Sequence, residues 1–278
     1  MVQTRYDIIG VHMYVCELVK PGVWLGGLSD DVSSKVMHIL SDIESEFYRA
    51  NTSLNMFEAQ REIDLKNIPT QPPSIESVQK KWREETNREN ELVPEICKRH
   101  NLNPQTDRNE IKFLAAVEVK KEKWLRGEIP HILTHNLTFI YANAFTHSVD
   151  MIYRLLKALS MTNEVPQDIS ISLNLMNAYF PSIHEVRNSI QHMDERSQMI
   201  GKYGKPLKPQ PLDNEIIKAP QGALIKSMLN GNRLVCTLGD GGYGEVEISI
   251  KSMQQLQEVV QNTLNLFDWS GPKTHLPL

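Results

Sequence analysis

The sequence predicts a mainly α-helical protein whose last part forms a small antiparallel β-sheet with one covering helix. Two observations support this fold class. Apolar residues recur three and four positions apart through most of residues 29–202, as on the buried face of an amphipathic helix. After a proline-rich stretch, short runs of alternating apolar and polar residues separated by glycine turns replace that spacing, which is typical of strands.

These changes of pattern divide the chain into four segments. Residues 1–28 mix short apolar runs with glycines and are expected to form an N-terminal strand or lead-in. Residues 29–202 are expected to form the helical bundle, 203–222 a Pro-rich connection, and 223–278 a small βββα unit.

Helix starts within the bundle have local signals. Ser29 is expected to begin the first helix, because two aspartates follow it in the first turn. Pro130 suits the first turn of the longest helix. Ser182 and Glu185 have capping-box spacing and are expected to begin a helix that continues to about Ile200. The other predicted helices are the charged stretch 74–100, expected to be a solvated or projecting arm, and 106–127 and 167–179.

The C-terminal unit has three strand candidates, at 223–229, 232–238 and 244–250. Asn230-Gly231 suits a two-residue hairpin turn between the first two, and the glycine-rich run from Gly239 to Gly244 suits a longer turn. A final helix places its apolar residues on one face, at Met253, Leu256, Val260, Leu264 and Phe267.

Composition excludes several classes of protein. Apolar residues make up 40% and charged residues 23% of the chain, as in a folded domain rather than a disordered one. The net charge of -4 gives no general attraction to nucleic acid, so any polyanion site must be local. The three scattered cysteines form neither a disulfide framework nor a zinc spacing. Without a signal-peptide pattern or a membrane-spanning apolar run, a cytoplasmic protein with no membrane partner is expected.

The segment most informative about function is Arg187-Asn188-Ser-Ile-Gln-His192. On a helical wheel Asn188 and His192 are four residues apart and share one face, and Arg187 lies roughly 140° from His192. The packing stripe lies nearly opposite, at Ile183, Val186, Ile190 and Met193. The polar pair is therefore expected to face solvent or a second interface.

An Arg-polar-x-x-x-His segment within a helical bundle resembles the signature of the HEPN superfamily, and the match covers about 15 residues around 183–196. The resemblance implies a HEPN-like helical bundle and a homodimer in which two motif helices build one composite groove. It also implies a metal-independent endoribonuclease without a cofactor, often a toxin or defence effector. Other members of the superfamily bind RNA or nucleotides without cleaving them, or serve as scaffolds for a protein partner.

The resemblance also assigns catalytic roles. Arg187 would neutralise the scissile phosphate, and His192 would transfer a proton or orient the 2′-hydroxyl. Asn188 would hold the imidazole or the phosphate by hydrogen bonds. Such chemistry leaves a 2′,3′-cyclic phosphate.

Four further residues are candidates for substrate binding. Glu195 and Arg196 lie beside the polar pair on the wheel. Asp150 and Arg154 are spaced for an intrahelical ion pair, and would otherwise contribute polar groups to a groove beside the motif helix.

Other patterns favour structural interpretations. His131 and His135 are four residues apart and suit a metal-binding helical bundle, but no third ligand is evident, so helix-start histidines are favoured. The run Gly239–Gly244 lacks the Lys-Ser/Thr of a phosphate loop, which favours a hairpin turn. The clusters 80–83 and 120–126 combine cations with a tryptophan, but their glutamates favour a solvated helix face over RNA contacts.

Overall fold

The computed structural model describes residues 5–8, 11–67, 72–214 and 217–277. Within them the protein is mainly α-helical with short antiparallel strands, which confirms the predicted fold class. The helices are α1 (Asp30–Asn67), α2 (Ile75–His100), α3 (Arg108–Leu125), α4 (His131–Ser160), α5 (Ile169–Tyr179), α6 (Ile183–Gln191), α7 (Met193–Ser197) and α8 (Ile250–Asn265). The strands are β1 (Arg5–Ile8), β2 (Val11–Tyr14), β3 (Leu18–Lys20), β4 (Trp24–Leu25), β5 (Leu212–Asp213), β6 (Lys218–Ala219), β7 (Met228–Asn230), β8 (Arg233–Thr237), β9 (Tyr243–Glu247), β10 (Trp269–Ser270) and β11 (Thr274–Leu276).

The chain divides into two compact units. Unit 1 contains Met1–Arg61 and Thr138–Leu278, and unit 2 contains Glu62–Leu137. The motif segment and the C-terminal sheet both belong to unit 1.

One continuous apolar core holds unit 1 together. Its buried side chains come from α1, α4, β8, β9 and α8, and include Leu40, Phe47, Phe145, Ile152, Leu234, Val246, Leu256 and Val260. Burying an apolar side chain of this size contributes roughly 1.5–3 kcal/mol to folding. The small sheet and α8 therefore share one core with the helices rather than forming a separate one.

The C-terminal sheet is an antiparallel meander with the order β7-β8-β9. Asn230 pairs with Arg233 across the predicted hairpin turn, where Gly231 has a φ of +59°. The first strand is shorter than predicted and begins at Met228. Residues 223–227 lie outside it, although the N–H of Thr237 donates to the carbonyl of Ile225 at 2.7 Å.

The N-terminal lead-in contains strands, as predicted, and two of them pair with the end of the chain. β3 pairs with β11, joining Leu18 to Leu276, and β4 pairs with β10, joining Leu25 to Trp269. Leu18 is 1% exposed and belongs to the main core. Backbone hydrogen bonds therefore join the N-terminal strands β3 and β4 to the C-terminal strands β11 and β10 within unit 1.

The motif helix is shorter than predicted. The prediction of one helix to about Ile200 is wrong, because α6 ends at Gln191 and α7 follows from Met193. His192 lies between them with φ -95° and ψ 40°, outside the α-helical region. The capping box is also not formed, since the Ser182 side chain makes no capping hydrogen bond.

Unit 2 contains the charged stretch predicted as a projecting arm. This stretch forms α2, which packs on α3 around a small core of Leu92, Ile96, Ala115 and Val119. Ion pairs also join the helices, with Arg88 Nη2 2.7 Å from Glu122 Oε1. Over the described ranges, no helix has the length and apolar character needed to cross a bilayer.

Thiol reactivity offers a first test of this packing. Burial raises the pKa of the Cys16 thiol to about 11 and that of Cys236 to about 12, and the thiolate is the reactive form. Cys97 is more exposed than either. In native protein at neutral pH we expect one thiol, Cys97, to react rapidly with an aromatic disulfide reagent. Cys97→Ser should remove the rapid phase of the labelling reaction. Rapid labelling of Cys16 or Cys236 would contradict the burial of these two thiols.

Candidate functional site

Helix α4 supplies the centre of the site, a buried carboxylate. Asp150 is 1% exposed and lies on the buried side of α4 beside Val149 and Ile152. Arg154, one turn later, places its Nε 2.8 Å from Asp150 Oδ2. The ion pair predicted from the spacing is therefore present. A buried carboxylate is costly unless cations and hydrogen bonds compensate its charge, and further partners come from α6.

Helix α6 brings three polar side chains to this carboxylate and its arginine. His184 Nδ1 lies 2.9 Å from Asp150 Oδ1, and Arg187 Nε lies 3.4 Å from Asp150 Oδ2. The Asn188 carbonyl oxygen accepts hydrogen bonds from Arg154 Nη2 at 3.3 Å and from Arg187 Nη1 at 3.2 Å. Asn188 Nδ2 lies 3.1 Å from His184 Nε2. We call Asp150, Arg154, His184, Arg187 and Asn188 the Asp150 cluster.

The Asp150 cluster contains more positive than negative charge. Its two guanidiniums face one carboxylate, so the cluster carries a net charge of +1 with His184 neutral. Burial lowers the pKa of Arg187, the nearby Arg154 lowers it further, and Asp150 opposes the shift. Arg187 is 16% exposed at its side chain, and Arg154 is 38% exposed. A cationic group next to a cleft is suited to hold a phosphate.

The cleft beside this cluster has a volume of about 470 Å³. Its lining residues are His184, Glu185, Asn188, Ser189, His192, Glu195, Arg196, Lys202, Tyr203 and Gly239. His192 has a side chain that is 55% exposed, and its Nδ1 lies 3.4 Å from Glu195 Oε1. Asn188 and His192 thus line one cleft, in agreement with the face predicted from the wheel, even though the helix ends between them.

Glu195 and Arg196 also line this cleft. Arg196 is 5% exposed, and its Nη1 donates to the carbonyl of Ile200 and lies 3.4 Å from Glu195 Oε2. The backbone N–H of Lys202 donates to the carbonyl of Gly239 at 2.7 Å, which joins the segment after α7 to the β8–β9 turn. Gly239, the first residue of the predicted turn, therefore lines the cleft.

Arg187 and His192 make separate contacts within one chain. The Arg187 side chain contacts Asp150 and Asn188, and it is not among the residues that line the cleft with His192. The Asp150 cluster thus occupies positions 184–188 of α6, His192 follows the end of that helix, and Asn188 belongs to the cluster and lines the cleft with His192.

No family model, curated protein or solved structure matches the chain. The resemblance to the HEPN superfamily accordingly stays a prediction, carried by residues 183–196 alone.

His184 is not among the site residues predicted from the sequence. It lies four residues before Asn188 and eight before His192, so the same helical spacing that grouped those two residues also includes it. Its partner Asp150 lies on another helix, and only the fold brings the two together.

The other candidate sites lie in unit 2. The rings of His131 and His135 are stacked with their centroids 5.6 Å apart. Nowhere in the described ranges do three or more His, Cys, Asp or Glu side chains form a group suited to a metal ion. In the basic cluster 120–126, Lys121 pairs with Glu118 and Lys123 with Glu85, as expected for a solvated helix face.

Proposed function

We propose that this protein is a HEPN-like, metal-independent endoribonuclease that acts at a composite site between two copies of the motif helix. The observation that carries the proposal is the cleft that the exposed His192 and Asn188 line together. The side-chain carbonyl oxygen of Asn188 accepts hydrogen bonds from the guanidiniums of Arg154 and Arg187. The site thus combines an exposed imidazole with cations close to an open cleft.

The reaction we propose is attack of an RNA 2′-hydroxyl on the adjacent phosphorus, with departure of the 5′-oxygen. Arg187 stabilises the negative charge that develops on the phosphoryl oxygens. Arg187 Nη2 has no hydrogen-bond partner among the described residues, so this nitrogen is available to a phosphate. His192 transfers a proton, and Asn188 positions the arginine through the bond to its carbonyl oxygen.

The dimer accounts for the separation of Arg187 from His192 within one chain. The side chains extend to different partners, Asp150 for Arg187 and Glu195 for His192. A second motif helix packed in the opposite direction brings the histidine of one copy towards the arginine of the other. Isologous contacts of this kind are the commonest interface of homodimers.

The test is incubation of the purified protein with mixed-sequence RNA in EDTA. Wild type is expected to cut the RNA and leave 2′,3′-cyclic phosphate ends. His192→Ala and Arg187→Ala should each slow cleavage by a factor of about 100 or more, the usual loss for a proton-transfer or charge-stabilising group. His38→Ala removes another exposed histidine of unit 1, on α1, and should cut like wild type. Equal cleavage by all four proteins would exclude this site.

A second function, RNA or nucleotide binding without cleavage, is favoured by one observation. Arg187 is already engaged by a buried carboxylate and is only 16% exposed at its side chain. A regulatory or scaffold protein, acting with a protein partner, needs the cleft only for recognition. RNA that is retained by wild type in a gel-shift experiment but never cut, with retention that weakens as salt rises, would favour this function.

A further inference from the structure

His184 is the second imidazole of the cleft, and its surroundings determine which nitrogen carries the proton. Asp150 is a buried carboxylate, and an ionised carboxylate only accepts hydrogen bonds. His184 Nδ1, at 2.9 Å from Asp150 Oδ1, is therefore the N–H nitrogen. In the neutral ring Nε2 then has the free lone pair.

The hydrogen bonds of the Asn188 side chain agree with this proton arrangement. Its carbonyl oxygen receives N–H groups from Arg154 and Arg187, so its Nδ2 is turned towards His184 Nε2 at 3.1 Å. An amide nitrogen only donates, and Nε2 accepts that bond. Every polar contact in the Asp150 cluster thus agrees with a neutral His184 whose basic nitrogen is Nε2.

His184 is also accessible. Its side chain is 40% exposed and lines the same cleft as His192. A buried carboxylate that orients an imidazole, whose other nitrogen accepts a hydrogen bond that a substrate hydroxyl can replace, is an arrangement suited to general-base catalysis. The carboxylate fixes the tautomer and stabilises the imidazolium that forms.

We propose that His184, oriented by Asp150, is the general base of the reaction, an inference that rests on the proposed RNA cleavage. The substrate 2′-hydroxyl replaces the Asn188 amide as the partner of Nε2 and gives its proton to that nitrogen. The 2′-oxygen forms a bond to phosphorus as the bond from phosphorus to the 5′-oxygen breaks. The 5′-oxygen leaves with the electron pair and takes a proton from protonated His192. Exchange with solvent restores both histidines.

The two imidazoles that act on one phosphate belong to different copies of the chain. His184 and Arg187 belong to the same Asp150 cluster, in which both contact Asn188. The proposed dimer brings the Arg187 of one copy towards the His192 of the other, and His184 moves with that Arg187. The base of one protomer therefore works with His192 of the second copy, across the composite site of the proposed dimer.

The experiment compares His184→Ala, His184→Gln and His192→Ala with wild type, alone and as mixed dimers. Each single variant should cut RNA about 100-fold more slowly or worse, and circular dichroism checks that each variant is folded at the assay temperature. Added imidazole should restore part of the His184→Ala rate, which a purely structural role of His184 does not predict. Co-expressed His184→Ala and His192→Ala chains should recover about a quarter of the wild-type rate, because half of the dimers are mixed and each holds one intact site.

Three results would overturn the inference. Wild-type rates in both His184 variants, with His192→Ala inactive, would remove His184 from the reaction and leave RNA cleavage at His192 standing. Mixed dimers no more active than either parent would show that the two histidines do not cooperate across copies. Wild-type protein that cuts no RNA would end both proposals, and that result is visible without any variant.

Discussion

Replacing Asp150 by alanine is expected to lower the free energy of unfolding by about 3 kcal/mol. The substitution leaves Arg154 and Arg187 without their shared counterion, and removing one partner of a buried ion pair typically costs 3–5 kcal/mol. We take the lower end because Arg154 is 38% exposed, so water solvates part of the charge that remains. Urea unfolding followed by circular dichroism measures the change.

The matched control is Glu95→Ala, which removes a carboxylate from a surface ion pair. Glu95 and Arg99 are one turn apart on α2, with side chains 61% and 50% exposed. This change should alter stability by only a few tenths of a kcal/mol. Equal effects of the two substitutions would show that Asp150 is not a buried counterion. Asp150→Ala should no longer lower the free energy of unfolding when Arg154 and Arg187 are both replaced by methionine. That result would support the role of Asp150 as their counterion.

Replacing Gly241 by alanine is expected to cost about 3 kcal/mol or more. Gly241 has a φ of +90°, a conformation that is costly for a residue with a Cβ atom. An added Cβ atom would also lie 2.0 Å from the carbonyl oxygen of Lys208, and a backbone atom cannot move away cheaply. Because Gly239 of the same turn lines the cleft, the variant should also lose RNA cleavage.

Gly231→Ala separates the cost of the backbone conformation from the cost of the Cβ clash. Gly231 lies in the β7–β8 hairpin with a φ of +59°, but an added Cβ atom would meet nothing within 4 Å. Only the backbone conformation is disturbed, so the cost should be about 1 kcal/mol. Thermal melts of the two variants compare them directly. If Gly231→Ala were the more destabilising, the close approach of the β8–β9 turn to Lys208 would be wrong.

The parts of the fold that follow from local pattern were predictable from the sequence. The buried residues of α4 keep helical spacing, and the turn at Asn230-Gly231 has the residues that such a hairpin requires. The break of the motif helix at His192 was not predictable, because the sequence there has no proline or glycine to mark it. The segment after α7 instead reaches the β8–β9 turn, a contact made by the tertiary fold.

The candidate site was predictable only in part for the same reason. Asp150 and Arg154 are one turn apart, so their ion pair is visible in the sequence. The contacts of Asp150 with His184 and Arg187 join positions 34 and 37 residues away, and no local pattern encodes that distance. The contact of Arg187 with Asp150, rather than with His192, follows from this packing of α6 on α4.

The pairing of β3 with β11 has a consequence for synthesis of the chain on the ribosome. The two strands are separated by more than 250 residues, which take roughly 12–50 s to translate at about 5–20 residues per second. During that interval β3 and β4 have no final partner, and their unpaired backbone edges are open to other chains. The contacts within unit 2 are complete once residue 137 has emerged. Nascent protein is therefore most prone to aggregation through β3 and β4, and this period ends when β10 and β11 have emerged from the ribosome and paired with them.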